Sequence, residues 1–312
     1  MQTADIPVAA AIQDKASAPS SLWRDTLRHL FHQRSAIVGA FILSTLLLVA
    51  ILAPVIAPYD PIQPLIGKED VHKREAPCIH ILGCPADKPQ HLFGIDGNVR
   101  DLFSRVLFGA QLSLQVGILS VSFAIVIGTV LGAVAGYAGG WADNLIMRLM
   151  DVLLAFPSLI LAIAIVTMLG PGLINTLIAI GIVSIPSYAR ITRAGVLSIK
   201  EQDFVTADRA LGVSPGRILF RRILPNALTP LIVTATLGIA TAILEAAALS
   251  FLGLGAQPPD PEWGSMIGQE RNQIFTAPHL IFFPGIALVL TVLGFNLLGD
   301  GLRDALDPRL NR

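Results

Sequence analysis

Five stretches without a charged side chain dominate this sequence: residues 35–59, 106–142, 152–189, 223–244 and 272–299. Each is long enough to cross a hydrocarbon core of about 30 Å, which takes about 20 helical residues. The third run is broken near its middle by Leu169-Gly170-Pro171-Gly172, which ends one helix and starts another, so it holds two spans. Six spans are expected, at about residues 37–57, 110–138, 149–169, 173–190, 228–253 and 281–299. Lipid offers no partner to free backbone amides, and no segment alternates as a barrel strand would. The fold class is therefore all-α, a polytopic membrane protein. Only 14% of the residues are charged, against about 25% in a soluble domain.

Six spans return both termini to one side, and the basic residues choose it. Fifteen Lys and Arg lie on the terminal side and seven on the other, so the positive-inside rule places both termini in the cytoplasm. The expected plan is a cytoplasmic segment (1–36), a first span (37–57), an extracytoplasmic loop (58–109), a five-helix core (110–299) with a cytoplasmic loop at 190–227, and a cytoplasmic tail (300–312). Residues 1–20 lack the basic start and apolar core of a signal peptide, so no cleavage is expected. Trp23, Leu27, Leu30 and Phe31, set between Arg24, Arg28 and Arg34, suit a short helix on the inner membrane surface.

The largest cytoplasmic loop contains TADRALGVSPGRILFRRILP, residues 206–225. Ser198 and Glu201 have the spacing of a capping box, predicting a helix start there. Phe204, Ala207 and Leu211 then form a narrow apolar stripe, and Gly212 ends the helix. Ser214 followed by Pro215 is a second start signal, and Pro225 marks the approach to the fifth span. Two short helices at an angle result. They suit either a connector resting on the membrane or a docking knob; the small Ala207, Ala210 and Gly212, ringed by Arg209, Arg217, Arg221 and Arg222, favour the knob.

From about residue 30 to Pro308 the chain resembles the permeases of binding-protein-dependent ABC importers. ARITRAGVLSIKEQDFVTADRALG and LSFLGLG resemble the oligopeptide and dipeptide subfamily in particular. Gly212, Leu224 and Pro225 fall in register with that family's cytoplasmic EAA loop. Thr206 and Asp208 stand where the family has Glu and its second Ala, and Arg222 where it has Ile. The resemblance implies the type I ABC importer permease fold and a coupling site for a cytoplasmic ATPase over Phe204, Thr206, Ala207, Asp208, Arg209, Ala210, Leu211, Gly212, Ser214 and Pro215. It further implies a second homologous permease, two ATPase subunits carrying ATP and Mg, an extracytoplasmic solute-binding protein and membrane lipid as partners; nucleic acid is not expected. No G-x-x-x-x-G-K-[ST] string occurs, so this chain is expected to hold no cofactor and no catalytic residue. Peptides are the implied cargo, with nickel complexes, glutathione or another small solute as alternatives. A self-sufficient ion-coupled carrier or channel is the reading from another class.

Gly128, Gly132, Gly136 and Gly140, continuing from Ser120 and Ala124, suit close helix packing. Glu245 is the one ionisable residue deep in an expected span. A carboxylate there must be protonated, hydrogen-bonded or beside a wet cavity, and either an interhelical bond or a place on the translocation path or gate satisfies this. In the first external loop, FGIDGNVRDLFSRVLFGAQLSL resembles the family's G-T-D-x-x-G-R-D-x-x-S-R stretch, with Ile95 and Val99 replacing Thr and Gly. That implies an extracytoplasmic entrance structure around Asp96, Arg100 and Asp101, although a turn leading into a surface helix would explain the residues equally. Cys78 and Cys84, on the oxidising side, are expected to form a disulfide, with a metal site involving His72, His80 and His91 the less favoured reading. The last external loop is expected to carry a short helix over residues 263–274.

Overall fold

Breaks in the apolar runs set the layout of the computed structural model, which describes residues 33–306. Helix α1 (Arg34–Ile56) is followed by an extended loop, and α2 (Leu102–Ala138) runs on to paired glycines. Gly139 and Gly140, at φ 64° and 55°, turn the chain into α3 (Gly140–Leu154). Phe156-Pro157 then separates α3 from α4 (Ser158–Leu169), and the two are bent by 91°. Gly170 and Gly172, at φ 95° and 150°, make the expected break before α5 (Leu173–Lys200). The elbow follows as α6 (Asp203–Ala210), α7 (Pro215–Ile218), a π-helical turn (Leu219–Ile223) and α8 (Leu224–Ala227). Helix α9 (Thr229–Phe251), the short α10 (Trp263–Glu270) and α11 (His279–Leu306) complete the described chain. Among the described residues there is no strand, only isolated bridges in the loop between α1 and α2.

Five helices are long and apolar enough to span a membrane, and the bent pair α3–α4 makes a sixth crossing if counted as one. Four expectations need correcting. The second membrane helix begins at Leu102, eight residues early, because the Asp101 carboxylate caps it by accepting from the Ser104 amide. The third crossing is a sharp bend, because Pro157 can neither donate an amide nor fit beneath a helical carbonyl. Helix α5 continues to Lys200, so Ser198 and Glu201 sit at the end of a helix and not at its start; Gln202 is the N-cap of the next one. The last helix runs through Asp300 to Leu306, absorbing the start of the expected tail. The expected surface helix around Trp23 lies outside the described residues.

The core forms where small residues line up. Helix α2 packs along α5, and a Cβ on Gly128 would lie 2.8 Å from the Ile185 carbonyl oxygen, one on Gly136 3.0 Å from that of Arg193. Gly132 sits directly against the Ala189 carbonyl. Such contacts matter in lipid, where apolar burial gives helices no reason to associate and dispersion must serve instead. Gly140 has open space around it and belongs to the turn, not to this face. Across the molecule, α1 rests on α11 through Gly39 against Gly294 and through Ala36 against Gly301. Helix α9 lies between these two pairs and contacts α2, α5 and α11.

Candidate functional site

The elbow is rigid underneath and bare on top. Gly212, at φ 75°, closes α6 in a Schellman arrangement: the Gly212 amide donates to the Arg209 carbonyl and the Val213 amide to that of Asp208, both at 3.0 Å. Ser214 then stands as N-cap to Pro215, as expected, although its hydroxyl makes no capping bond. The wide turn at Leu219–Ile223 precedes Pro225, whose missing amide and bulky ring disfavour an ordinary α-turn. Val205, Ile218, Leu219 and Ile223 bury themselves against Val196 of α5 and Ala133 of α2. Phe204, Ala207 and Leu211 point away from that cluster, and Leu211 is 80% exposed. Thr206, Arg209, Ala210, Ser214 and Pro215 are exposed beside them, and Asp208 is half-buried.

Two of the three departures from the family pattern meet in space. The Asp208 carboxylate lies 3.3 Å from the Arg222 guanidinium, tying α6 to the π-helical turn. Acid and base thus stand together at two positions where the family pattern has apolar residues. The pair is surface-exposed on the arginine side, which limits its worth to about 1 kcal/mol or less.

Glu245 lines a cavity of about 370 Å³ between α9, the middle of α5 and the bend between α3 and α4. Its carboxylate accepts a 3.0 Å bond from the hydroxyl of Ser158, the first residue of α4. The interhelical bond and the cavity, alternatives in the sequence, therefore occur together. Ser184, Ser187, Tyr188, Thr234 and Thr241 supply further oxygens, and the lining holds no Lys, Arg or His.

Asp96, Arg100 and Asp101 do not form an exposed turn. All three are buried, and Arg100 reaches from the loop before α2 to the Pro259 carbonyl of the loop before α10, 3.4 Å away. One Asp96 oxygen accepts the amides of Asn98 and Arg100 at 2.8 Å, and the other accepts from the Arg100 guanidinium at 2.8 Å. Arg105, fully buried beside them, donates to the carbonyls of Pro61 and Pro259. Asp101 accepts from the amide and hydroxyl of Ser104 while bonding His91 Nδ1 at 2.8 Å. His91 Nε2 lies 3.1 Å from Glu69. Burial opposes a charge on His91, but the bonds and charges of Asp101 and then Glu69 outweigh it, so its pKa lies above the usual histidine value. Val99, where the family has Gly, holds φ 59°, a left-handed conformation costly for a β-branched side chain; the family's glycine is explained by that backbone.

Several residues that carry this region drew no notice in the sequence. Arg74 reaches Glu270 of α10 at 2.8 Å, and the same carboxylate accepts the Gly97 amide. Glu262, buried, caps α10 by accepting the amides of Gly264 and Ser265. An acid directly before Trp-Gly-Ser was the available signal for that cap. The expected short helix over 263–274 is α10 followed by a 3-10 turn at Arg271–Gln273. The sulfurs of Cys78 and Cys84 are bonded to one another. His80 instead bonds the Lys88 carbonyl, and no group of metal-ligating side chains gathers among the described residues.

These features can be set beside known proteins. The family described as "Binding-protein-dependent transport system inner membrane component" matches residues 128–312, and "N-terminal TM domain of oligopeptide transport permease C" matches residues 21–77. The dipeptide transport system permease protein DppC of Alkalihalophilus pseudofirmus is 48% identical over 298 residues, covering 96% of this chain and 93% of that protein. The glutathione transport system permease protein GsiD of Escherichia coli is 47% identical over 288 residues, covering 92% and 91%. Among solved structures, an inward-facing MetNI methionine ABC transporter chain superposes with a TM-score of 0.53 at 21% identity, covering 66% of this chain and 98% of that one. The shared architecture is the type I ABC importer permease fold. With a family match over more than half its length and close relatives spanning nearly all of it, this chain belongs to the inner-membrane permease components of binding-protein-dependent transport systems.

Proposed function

We propose that this chain is one of two permease subunits of an ATP-driven importer that carries di- or oligopeptides across the cytoplasmic membrane, with both termini in the cytoplasm. A second, homologous permease completes the pathway. Two ATPase subunits hold ATP and Mg, and an extracytoplasmic solute-binding protein delivers the cargo. The observation that carries this reading is the elbow: an outward apolar stripe of Phe204, Ala207 and Leu211 on helices braced from below by Val205 and Ile223. A lipid-seated connector has no need of a stiff foundation, whereas a lever must transmit force. The region from Phe204 to Pro215 is assigned to the ATPase contact. Glu245 is assigned to the path, and the Asp96–Arg100–Asp101 network to shaping its external entrance. The naming of one relative as a dipeptide permease favours peptide cargo, and that of another as a glutathione permease makes glutathione, itself a small peptide-like solute, the second reading.

Ala207→Trp places a large ring on the exposed stripe without touching the buried cluster. Membrane insertion is expected to be unchanged, while co-purification of the ATPase and ATP-dependent uptake fall at least tenfold, about 1.4 kcal/mol of lost contact. Uptake driven by an ion gradient with no ATPase present would instead establish the carrier reading.

A further inference from the structure

The cavity beside Glu245 is chemically one-sided. Ser158 spends its hydroxyl proton on Glu245 itself. Ser184 donates to the Ile180 carbonyl at 2.8 Å, Thr234 to that of Pro230 at 3.0 Å, and Thr241 to that of Leu237 at 3.4 Å. With their protons committed along the helix backbone, these hydroxyls can offer only lone pairs to anything in the cavity. The carboxylate adds about four acceptor positions, of which one is used by Ser158. No basic side chain lines the space to answer it. A volume of about 370 Å³ lies within the range of small-molecule sites.

From this we infer that the cavity is a way-station for a primary ammonium group, with the Glu245 carboxylate as its counter-charge and Ser184, Thr234 and Thr241 as supporting acceptors. An ammonium carries three donors and no acceptor, the complement of the carboxylate and of these three hydroxyls; the Ser187 and Tyr188 hydroxyls in the same lining can accept as well as donate. The inference rests on the peptide-permease reading above and deepens it: the cargo group held is the free amino terminus of a peptide. A protonated Glu245 bonded to Ser158 and serving only to join α4 to α9 is the competing account. In that case Gln, which keeps both size and hydrogen-bonding capacity, would serve as well as Glu.

The test uses the assembled importer, with its partner permease, ATPases and binding protein, in liposomes. Uptake of Ala-Phe is compared with uptake of N-acetyl-Ala-Phe for the wild type and for Glu245→Gln. Because the same binding protein serves both importers, its own preference cancels from the ratio. The free-amine advantage is expected to shrink at least about tenfold in Glu245→Gln and to persist in Glu245→Asp. N-acetyl-Ala-Lys separates an amino terminus from a side-chain amine: uptake sensitive to Glu245 would widen the site to any primary ammonium. An unchanged ratio in Glu245→Gln overturns the inference. If the wild type takes up no peptide at all, the peptide reading fails. Titration of phenethylammonium into the importer in nanodiscs, wild type against Glu245→Gln, then decides the ammonium site separately: tighter binding to the wild type supports it, and equal binding refutes it.

Discussion

His91 shows how a single residue can hold a loop. Its ring lies between Asp101 and Glu69, 3% exposed, with Tyr59 tilted against it at 5.0 Å between ring centroids. Its pKa is raised in the fold, so the charged ring contributes stability that is complete below the ordinary histidine value of about 6.5 and is lost as pH rises through the folded value. Proteolysis within residues 58–101 is therefore expected to quicken as pH rises above about 6.5, and His91→Gln is expected to flatten that dependence; equal slopes for the two proteins would contradict the arrangement. Only the resemblance to a family stretch drew attention to Asp101 in the sequence. His91 stood out there only as a candidate metal ligand; its place between two carboxylates was not legible, because they lie 10 and 22 residues away along a loop of no regular period.

At the scale of elements, the interval between glycines was legible and its partner was not. Gly128, Gly132 and Gly136 share one face at four-residue spacing, but that this face meets α5 is decided by the turn at Gly139-Gly140 and the folding back of α3 and α4. A side chain at residue 132 has nowhere to go, since the Ala189 carbonyl occupies its place. Gly132→Leu is expected to force α2 from α5 at a cost of about 1–3 kcal/mol or more, lowering the thermal midpoint in detergent by several degrees. Gly216→Ala, which meets open space, serves as the control and should leave that midpoint unchanged. The elbow teaches the opposite lesson about local codes. Gly212 and Ser214-Pro215 acted as read, yet the Ser198 and Glu201 pair was overridden, because by continuing to Lys200 α5 packs Ile199 against the elbow cluster.

For the whole molecule, the arrangement implies a sidedness that can be measured. On the proposed topology Phe275, 96% exposed between α10 and α11, lies at the external end, and Phe220, on the elbow, at the cytoplasmic end. Cys78 and Cys84 are bonded to each other, so a cysteine introduced elsewhere in the chain would be its free thiol. Phe275→Cys is expected to react with a membrane-impermeant maleimide in intact cells, and Phe220→Cys only after permeabilisation. Reversed labelling would place the elbow outside and remove its access to any ATPase. The end of the molecule that carries Phe275 is a single unit: Arg74 and Gly97 from the loop before α2 reach Glu270, and Arg105 from α2 reaches the Pro259 carbonyl.

By itself the sequence determined that this chain is helical, that several of its helices are long and apolar enough to span a membrane, and where an elbow interrupts them. Those properties follow from local chemistry: charge-free length and glycine and proline punctuation. Only the tertiary structure decided that Glu245 looks into a cavity lined by hydroxyls and no basic side chain, that Asp208 and Arg222 answer one another, and that buried Arg100 and Arg105 join two distant loops. Each depends on residues far apart in the chain arriving within hydrogen-bond or ion-pair reach, and that proximity is fixed by which helix faces pack together.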